Sequence, residues 1–282
     1  MTGNQAVVGI LHPGSMGAAV AAQIRATGTT TVLWCSAGRS AATRQRAVEA
    51  GLTEVPSLGE LVRRSRILLS ICPPAAAEAV ANEVAAHAFK GGVYVEANAI
   101  TPERLGRIAA VLPDAMVVDG SVIGSPPRGG KQPRLFLSGP GDAADQVVRL
   151  FARTDVQVQV LGSELGQASA LKLAYTSYQK ASRVLAALSY ALAADHGVED
   201  ELLEVAAGRS GSYLLETGYI AKTAARAWRW APELIEAAEL LEECGLPGEP
   251  MRGAADALGR WEAERDAAPG LDEALARLHR SR

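Results

Sequence analysis

The apolar run Ala6-Val7-Val8-Gly9-Ile10-Leu11 breaks directly into His12-Pro13-Gly14-Ser15-Met16-Gly17, and a helical pattern starts at once, reaching about Ala26 before Gly28. A strand feeding a glycine turn and then a helix constrains the fold more than any other feature of the chain. Gly14 lets the backbone approach a pyrophosphate, Gly17 lets the helix pack closely on the strand, and the helix N-terminus supplies free N–H donors. His12 stands where the G-x-G-x-x-G fingerprint has its first glycine, so an ordinary strand-to-helix turn stays open as an alternative. The cofactor-binding candidates here are His12, Pro13, Gly14, Ser15, Met16 and Gly17.

The second strand, Thr29-Thr30-Thr31-Val32-Leu33-Trp34, leads to Cys35-Ser36, where an NAD site usually carries an acidic residue on the ribose. No Asp or Glu occurs between Thr31 and Val48; Ser36, Arg39, Ser40, Arg44 and Arg46 follow instead. A guanidinium can hold a 2′-phosphate through paired, charge-assisted hydrogen bonds, whereas a carboxylate repels it. NADP is therefore the expected cofactor, with Ser36 and Arg39 as its contacts, although a solvated face of the helix near Ala41 to Ala50 also accounts for some of these arginines.

Alternation continues with Arg66 to Ile71, a helix from Ala75 to His87, Val93 to Glu96, a helix after Pro102, and strands at Met116 to Asp119, Arg134 to Leu137 and Val156 to Val160. This pattern predicts an α/β Rossmann-type N-terminal domain with a mostly parallel sheet. Ligands in such sheets sit beyond the carboxyl ends of the strands, which groups Pro73, Asn98, Thr101 and an Asp119–Ser125 loop around the crevice that holds Gly14. Pro126 to Pro133 reads as a loop or turn between strands.

From Ser163 to about Asp195 the chain lacks proline, is rich in Ala and Leu, and fits one helix of roughly thirty residues. No strand-like run follows, so the expected division is a Rossmann domain at 1–162 and an all-α domain at 163–282. The long helix is apolar nearly all round and predicts burial by other helices or by a second copy, hence a homodimer. Lys172 sits within it among Ala168, Ala170, Leu171, Leu173 and Ala174. The chain uses arginine for its positive charges except at Lys90, Lys131, Lys172, Lys180 and Lys222. A partly desolvated lysine can release a proton and an arginine cannot, which makes Lys172 a candidate acid or base. Helical periodicity alone fits a snorkelling surface lysine slightly better.

The 282 residues suffice for two cores, and a net charge of −3 gives no general attraction to nucleic acid or anionic membrane. No signal peptide or spanning segment is expected. Cys35, Cys72 and Cys244 are scattered and read as reduced thiols of a cytoplasmic protein, Cys72 as a strand-end residue rather than a nucleophile. His12, His87, His196 and His279 lie far apart, and no metal site is expected.

Gly14-Ser15-Met16-Gly17 resembles the G-x-M-G turn of the 3-hydroxyacid dehydrogenase superfamily, which includes 6-phosphogluconate and 3-hydroxyisobutyrate dehydrogenases. Gly166 to Lys172 resembles that family's G-x-G-x-x-x-K segment, with Ala168 for the second glycine. The D-x-P-V-S-G-G loop stands as Asp119 to Ser125 with Ile123 for the serine, the usual asparagine after the lysine is Thr176, and K-D-L becomes Pro232-Glu233-Leu234. Pro13, Ile123-Gly124-Ser125-Pro126-Pro127 and Arg229-Trp230 are similar to a poorly characterised branch with a phosphogluconate-dehydrogenase-like C-terminal domain.

The resemblance implies an NADP-dependent enzyme that exchanges hydride between the nicotinamide and a small hydroxy acid or related carbonyl compound, with Lys172 catalytic. The departures argue against 6-phosphogluconate as substrate. Asn98 and Thr101 would position the nicotinamide end, and Ser121, Val122, Ile123 and Gly124 would line the substrate side. Tyr175, Thr176, Lys180 and Arg229 or Trp230 would contribute from the helical part. Imine reductases share this architecture and an NADPH preference but typically carry another residue at the lysine position; a non-catalytic NADPH-binding sensor is the third alternative.

Overall fold

A computed structural model describes residues 6–208, 211, 213, 216–265, 267 and 269–279. The chain divides into two compact units, one running to Ser177 and the other starting at Tyr178. Gly162, where the sequence suggests a boundary, ends the last strand, and the first unit continues through three turns of the helix that follows.

The first unit alternates β1 (Ala6–Ile10), α1 (Ser15–Ala26), β2 (Thr30–Cys35), α2 (Ala41–Glu49), β3 (Thr53–Val55), α3 (Leu58–Arg64), β4 (Ile67–Ser70), α4 (Ala77–Ala86), β5 (Val93–Glu96) and α5 (Pro102–Val111). It continues with β6 (Met116–Ile123), β7 (Arg134–Ser138), α6 (Gly141–Phe151), β8 (Gln157–Gly162) and the start of α7 (Gln167–Asp195). The sheet order is β3-β2-β1-β4-β5-β6-β7-β8. Every pairing is parallel except β6 with β7. This is the expected mostly parallel Rossmann-type sheet, and its order reverses between β1 and β4, so the glycine turn leaves β1 at the topological switch point.

Helix starts follow local chemistry. Ser57 Oγ accepts from Glu60 N–H and Thr101 Oγ1 from Arg104 N–H, each satisfying an otherwise orphaned donor of the first turn, and Ser40 Oγ shares the Thr43 N–H with the Ser40 carbonyl. Strand residues alternate between two cores: Val32 and Trp34 join the cluster with Val8, Ile10 and Val95, whereas Leu33 and Cys35 join Leu11, Leu68 and Tyr94 on the other face.

The structure adds one element and corrects one expectation. Thr53–Val55 forms a short edge strand beside β2 that the pattern does not announce. Ser121, Val122 and Ile123 do not lie in a loop: β6 runs to Ile123, because after Asp119, its last residue paired with β5, it continues against β7.

The second unit contains the rest of α7, α8 (Glu199–Ala207), α9 (Ile220–Glu243), α10 (Glu249–Gly259) and α11 (Leu271–Leu278). The 29-residue α7 matches the predicted long helix. Ala224, Ala227, Trp261 and Ala274 form a small core here, tied by the Trp261 indole N–H donating to the Ala274 carbonyl at 2.7 Å. Among the described residues no helix is long and apolar enough to cross a membrane.

Candidate dinucleotide and catalytic site

The first unit gathers most of the sequence-predicted residues along the carboxyl edge of β1, β4, β5 and β6. At the β1–α1 turn the Gly14 N–H donates to the His12 carbonyl at 2.9 Å, and Gly14 caps α1 without a side-chain hydrogen bond. The first-turn amides are thus left for an anion. A Cβ on Gly17 would collide with the His12 carbonyl oxygen, and one on Gly14 would stand 3.2–3.3 Å from the His12 imidazole. The turn excludes a side chain at Gly17, leaves little room for one at Gly14, and offers the close backbone approach that a pyrophosphate needs. Pro13 is buried, Ser15 exposed and Met16 half-buried against the core.

Two arginines converge on this turn. Arg39 Nη2 donates to the Leu11 carbonyl at 2.9 Å, Arg39 Nη1 lies 3.2 Å from His12 Nδ1, and Arg46 Nε donates to the Pro13 carbonyl at 3.4 Å. Burial, then the charges of Arg39 and Arg46, hold the His12 imidazole below its ordinary pKa. The buried Arg39 Nε has no partner among the described residues. Ser36 is buried and its carbonyl accepts the Arg39 N–H at 3.1 Å, closing the turn after β2. Arg44, by contrast, is exposed and reaches Glu54 at 3.9 Å. The residues present fit a nicotinamide dinucleotide at this turn.

Behind it, Asn98 ties β4 to β5. Its Oδ1 accepts the Cys72 N–H at 2.6 Å, while its Nδ2 donates to Ser70 Oγ at 3.0 Å and to Glu96 Oε1. The amide is fully engaged and nearly buried. Thr101 spends its hydroxyl as the cap of α5, and Pro73 is exposed just before a 3₁₀ turn at Pro74–Ala76. Burial pushes the Cys72 thiol up, and Glu96 adds to the effect. That suits a strand-end thiol rather than a thiolate nucleophile.

Sequence reasoning missed a lateral row of polar residues. Ser70, Glu96, Asp119 and Ser138 pair in register across β4, β5, β6 and β7, and all four are fully buried. Glu96 is pushed up to about 7, mainly by burial, with a further upward push from Asp119 opposed by its hydrogen bonds to Asn98 and Ser70. Asp119 Oδ2 accepts from Gly166 N–H (3.0 Å), Ser169 N–H (2.9 Å) and Ser138 Oγ (3.1 Å), and its Oδ1 from Ser169 Oγ at 2.6 Å. The signal was present: each of these apolar runs ends on one polar residue, in Leu69-Ser70, Val95-Glu96, Val118-Asp119 and Leu137-Ser138.

Asp119 thereby holds the start of α7 on the sheet, and one helical turn later Lys172 Nζ donates to the Val122 carbonyl on the same strand. The half-buried Lys172 therefore stands at the carboxyl end of β6. Ser121 is buried with its hydroxyl unpartnered among the described residues. Val122 is buried, Ile123 half-buried, and Gly124 turns the chain with φ +124°. Tyr175 and Thr176 follow Lys172 on α7, partly exposed. The side chains of Lys180 and Arg229 lie outside the described residues, and Trp230 belongs to the second unit.

Residues 6–162 match the family described as the NAD binding domain of 6-phosphogluconate dehydrogenase, and the chain belongs to that family. Residues 193–261 match a domain of unknown function, DUF1932. The first match accords with the resemblance read from the glycine turn, and the lysine segment at 166–172 lies between the two matched ranges.

An uncharacterised 28.5 kDa protein in the 7S RNA 5′ region of Methanothermus fervidus is 28% identical over 171 residues, 61% of this chain. The match spans 65% of that relative, just under two thirds of its length. A conserved protein of unknown function, described as structurally similar to 3-hydroxyacid dehydrogenases, is 26% identical with a TM-score of 0.61, covering 92% of this chain and 98% of that one. An imine reductase from Pseudomonas sp. is 18% identical with a TM-score of 0.71, covering 98% and 100%. A reductive aminase from Aspergillus terreus, in complex with NADPH and ethyl-5-oxohexanoate, is 21% identical with a TM-score of 0.74 over the same shares. The last two likenesses are of fold.

Proposed function

We propose that the protein is an NADP-dependent oxidoreductase acting on a small hydroxy acid or related carbonyl compound, with Lys172 as general acid and base. The observation that carries this reading is the Lys172 amine held on the Val122 carbonyl, at the sheet edge that also bears the glycine turn. Bound nicotinamide would supply or accept the hydride. Lys172 would hold the proton at the substrate oxygen, taking it when a hydroxyl is oxidised and returning it when a carbonyl is reduced. Its donation to the Val122 carbonyl fixes the amine at the end of β6. Ser121 and the 122–124 backbone would border the substrate, and Arg39 would favour the 2′-phosphate of NADP.

The second unit leaves Tyr190, Val198, Leu203 and Val205 exposed, beside an apolar cleft of about 610 Å³ lined by Leu192, Leu202, Leu241 and Met251. That surface supports pairing of two copies, which light scattering at micromolar concentration would detect, a monomer removing the claim. The three unpaired cysteines and the NADPH requirement suit the cytoplasm.

The test is a panel of hydroxy acids, carbonyl compounds and a cyclic imine, followed by NADPH absorbance. Lys172→Met should retain folding and NADPH affinity while turnover of the accepted substrate falls about 10²- to 10⁴-fold. Lys172→Arg should fail almost as badly, since guanidinium keeps its proton. Activity of Lys172→Met within about threefold of wild type would end the catalytic assignment. Turnover of the imine alone would favour the imine reductase reading, and tight NADPH binding without any turnover the sensor.

A further inference from the structure

His12 replaces the first glycine of the dinucleotide fingerprint, and the substitution has a chemistry of its own. Among the described residues Ala88 is the only non-glycine with positive φ, so the backbone at position 12 takes a conformation any residue can adopt. The glycine's conformational reason is absent, and a side chain is free to stand in the turn.

The orientation of that side chain is fixed by Arg39. A guanidinium only donates, so the Nη1 atom 3.2 Å from His12 Nδ1 requires Nδ1 to be the acceptor. In the neutral ring the proton is then on Nε2. Arg39 is itself anchored by its second nitrogen to the Leu11 carbonyl, which prevents the pair from simply swinging away. Arg39 and Arg46, the charged groups that act on the ring, both oppose a second proton on it.

The edge that carries Nε2 faces Gly14. A Cβ built on Gly14 would stand 3.3 Å from Nε2 and 3.2 Å from Cδ2. The volume that Gly14 leaves open is the volume through which a phosphate approaches the backbone. A phosphate oxygen packed against the Gly14 Cα from that side would lie beside the Nε2 edge of the ring, where an N–H can donate to it.

We propose that His12 is a pyrophosphate-binding residue, held by Arg39 as the Nε2–H tautomer so that it adds a side-chain donor to the backbone amides of the α1 N-terminus. This rests on the reading of the β1–α1 turn as a dinucleotide site. Arg39 has two parts in it: it orients the ring, and under the proposed function it would face the 2′-phosphate. His12 acts on the portion of the cofactor that NADPH and NADH share.

Direct titration of the purified protein with NADPH and with NADH, followed by nucleotide fluorescence, separates these roles without any substrate. Loss of one hydrogen bond to a charged oxygen corresponds to about a tenfold loss of affinity or somewhat more. His12→Asn keeps an acceptor where Nδ1 was but lacks a donor reaching Gly14, so both NADPH and NADH should weaken about tenfold. His12→Gly, which restores the fingerprint glycine, should weaken both similarly, and His12→Gln, whose amide reaches about as far as Nε2, should recover most of the loss. In the wild-type protein ¹⁵N NMR should show Nδ1 unprotonated and Nε2 protonated, with the Nε2 signal moving on NADPH addition. Unchanged affinities in the Asn and Gly variants, loss for NADPH alone, or an Nδ1–H tautomer would each overturn the proposal while leaving the dinucleotide reading intact. A wild-type protein that binds neither nucleotide would overturn both.

Discussion

Asp119 and Ser169, fifty positions apart, are joined twice, the carboxylate of one accepting both the backbone N–H and the hydroxyl of the other. The same separation of fifty recurs three residues further along, where Lys172 reaches the Val122 carbonyl. One turn of α7 is thus laid along one stretch of β6, with a carboxylate fixing the near end and an amine the far end. The negative charge at the start of α7 also complements the helix dipole.

Asp119→Ala leaves the Gly166 and Ser169 amides and the Ser138 and Ser169 hydroxyls without their buried acceptor. We expect it to cost about 3–5 kcal/mol in urea denaturation. Asp119→Asn keeps one oxygen for the three donors and can turn its amide to Ser169 Oγ, so about 1 kcal/mol is expected. A loss below about 1 kcal/mol for Asp119→Ala would mean that the clamp adds little.

Glu96 gives the fold a pH dependence of known sign. Its folded pKa, about 7, lies above the unfolded value of 4.5. Between these values the folded state holds the extra proton, so this contribution is complete below about pH 4.5 and is lost as pH rises through 7. Wild type should therefore lose more stability between pH 5.5 and 8.5 than Glu96→Gln, by about 2 kcal/mol. Parallel Tm profiles for the two proteins would refute the assignment.

Arg39→Ala should weaken NADPH by about 1–3 kcal/mol through loss of a charged partner for the 2′-phosphate. Because Arg39 also anchors Leu11 and His12, NADH should weaken slightly rather than not at all. Titrations of both nucleotides decide it: equal weakening would reduce Arg39 to a support of the turn.

The sequence disclosed what is local. Gly14 and Gly17 announce the turn, the missing acid after Trp34 and the arginines beyond it announce the adenosine end, and the proline-free run before Asp195 announces α7. Thr53–Val55 escaped because three residues at a sheet edge, two of them exposed, carry no apolar period. The row of Ser70, Glu96, Asp119 and Ser138 escaped for another reason. One polar residue ending each strand is unremarkable until strand register, a non-local property, sets the four side by side. Asn98 and Thr101 drew attention as polar residues near the crevice, and the fold gives their side chains internal partners.

Helix ends ordinarily fray, because their first amides have no partner within the helix and exchange with solvent almost as fast as a free chain. At the head of α7 that order is reversed. The Gly166 and Ser169 amides are sealed on a carboxylate with no solvent exposure, so their hydrogens should be among the last of the helix to exchange. Lys172, one turn on, is then carried by a segment that opens on the slow clock of the sheet rather than the fast clock of a helix tip.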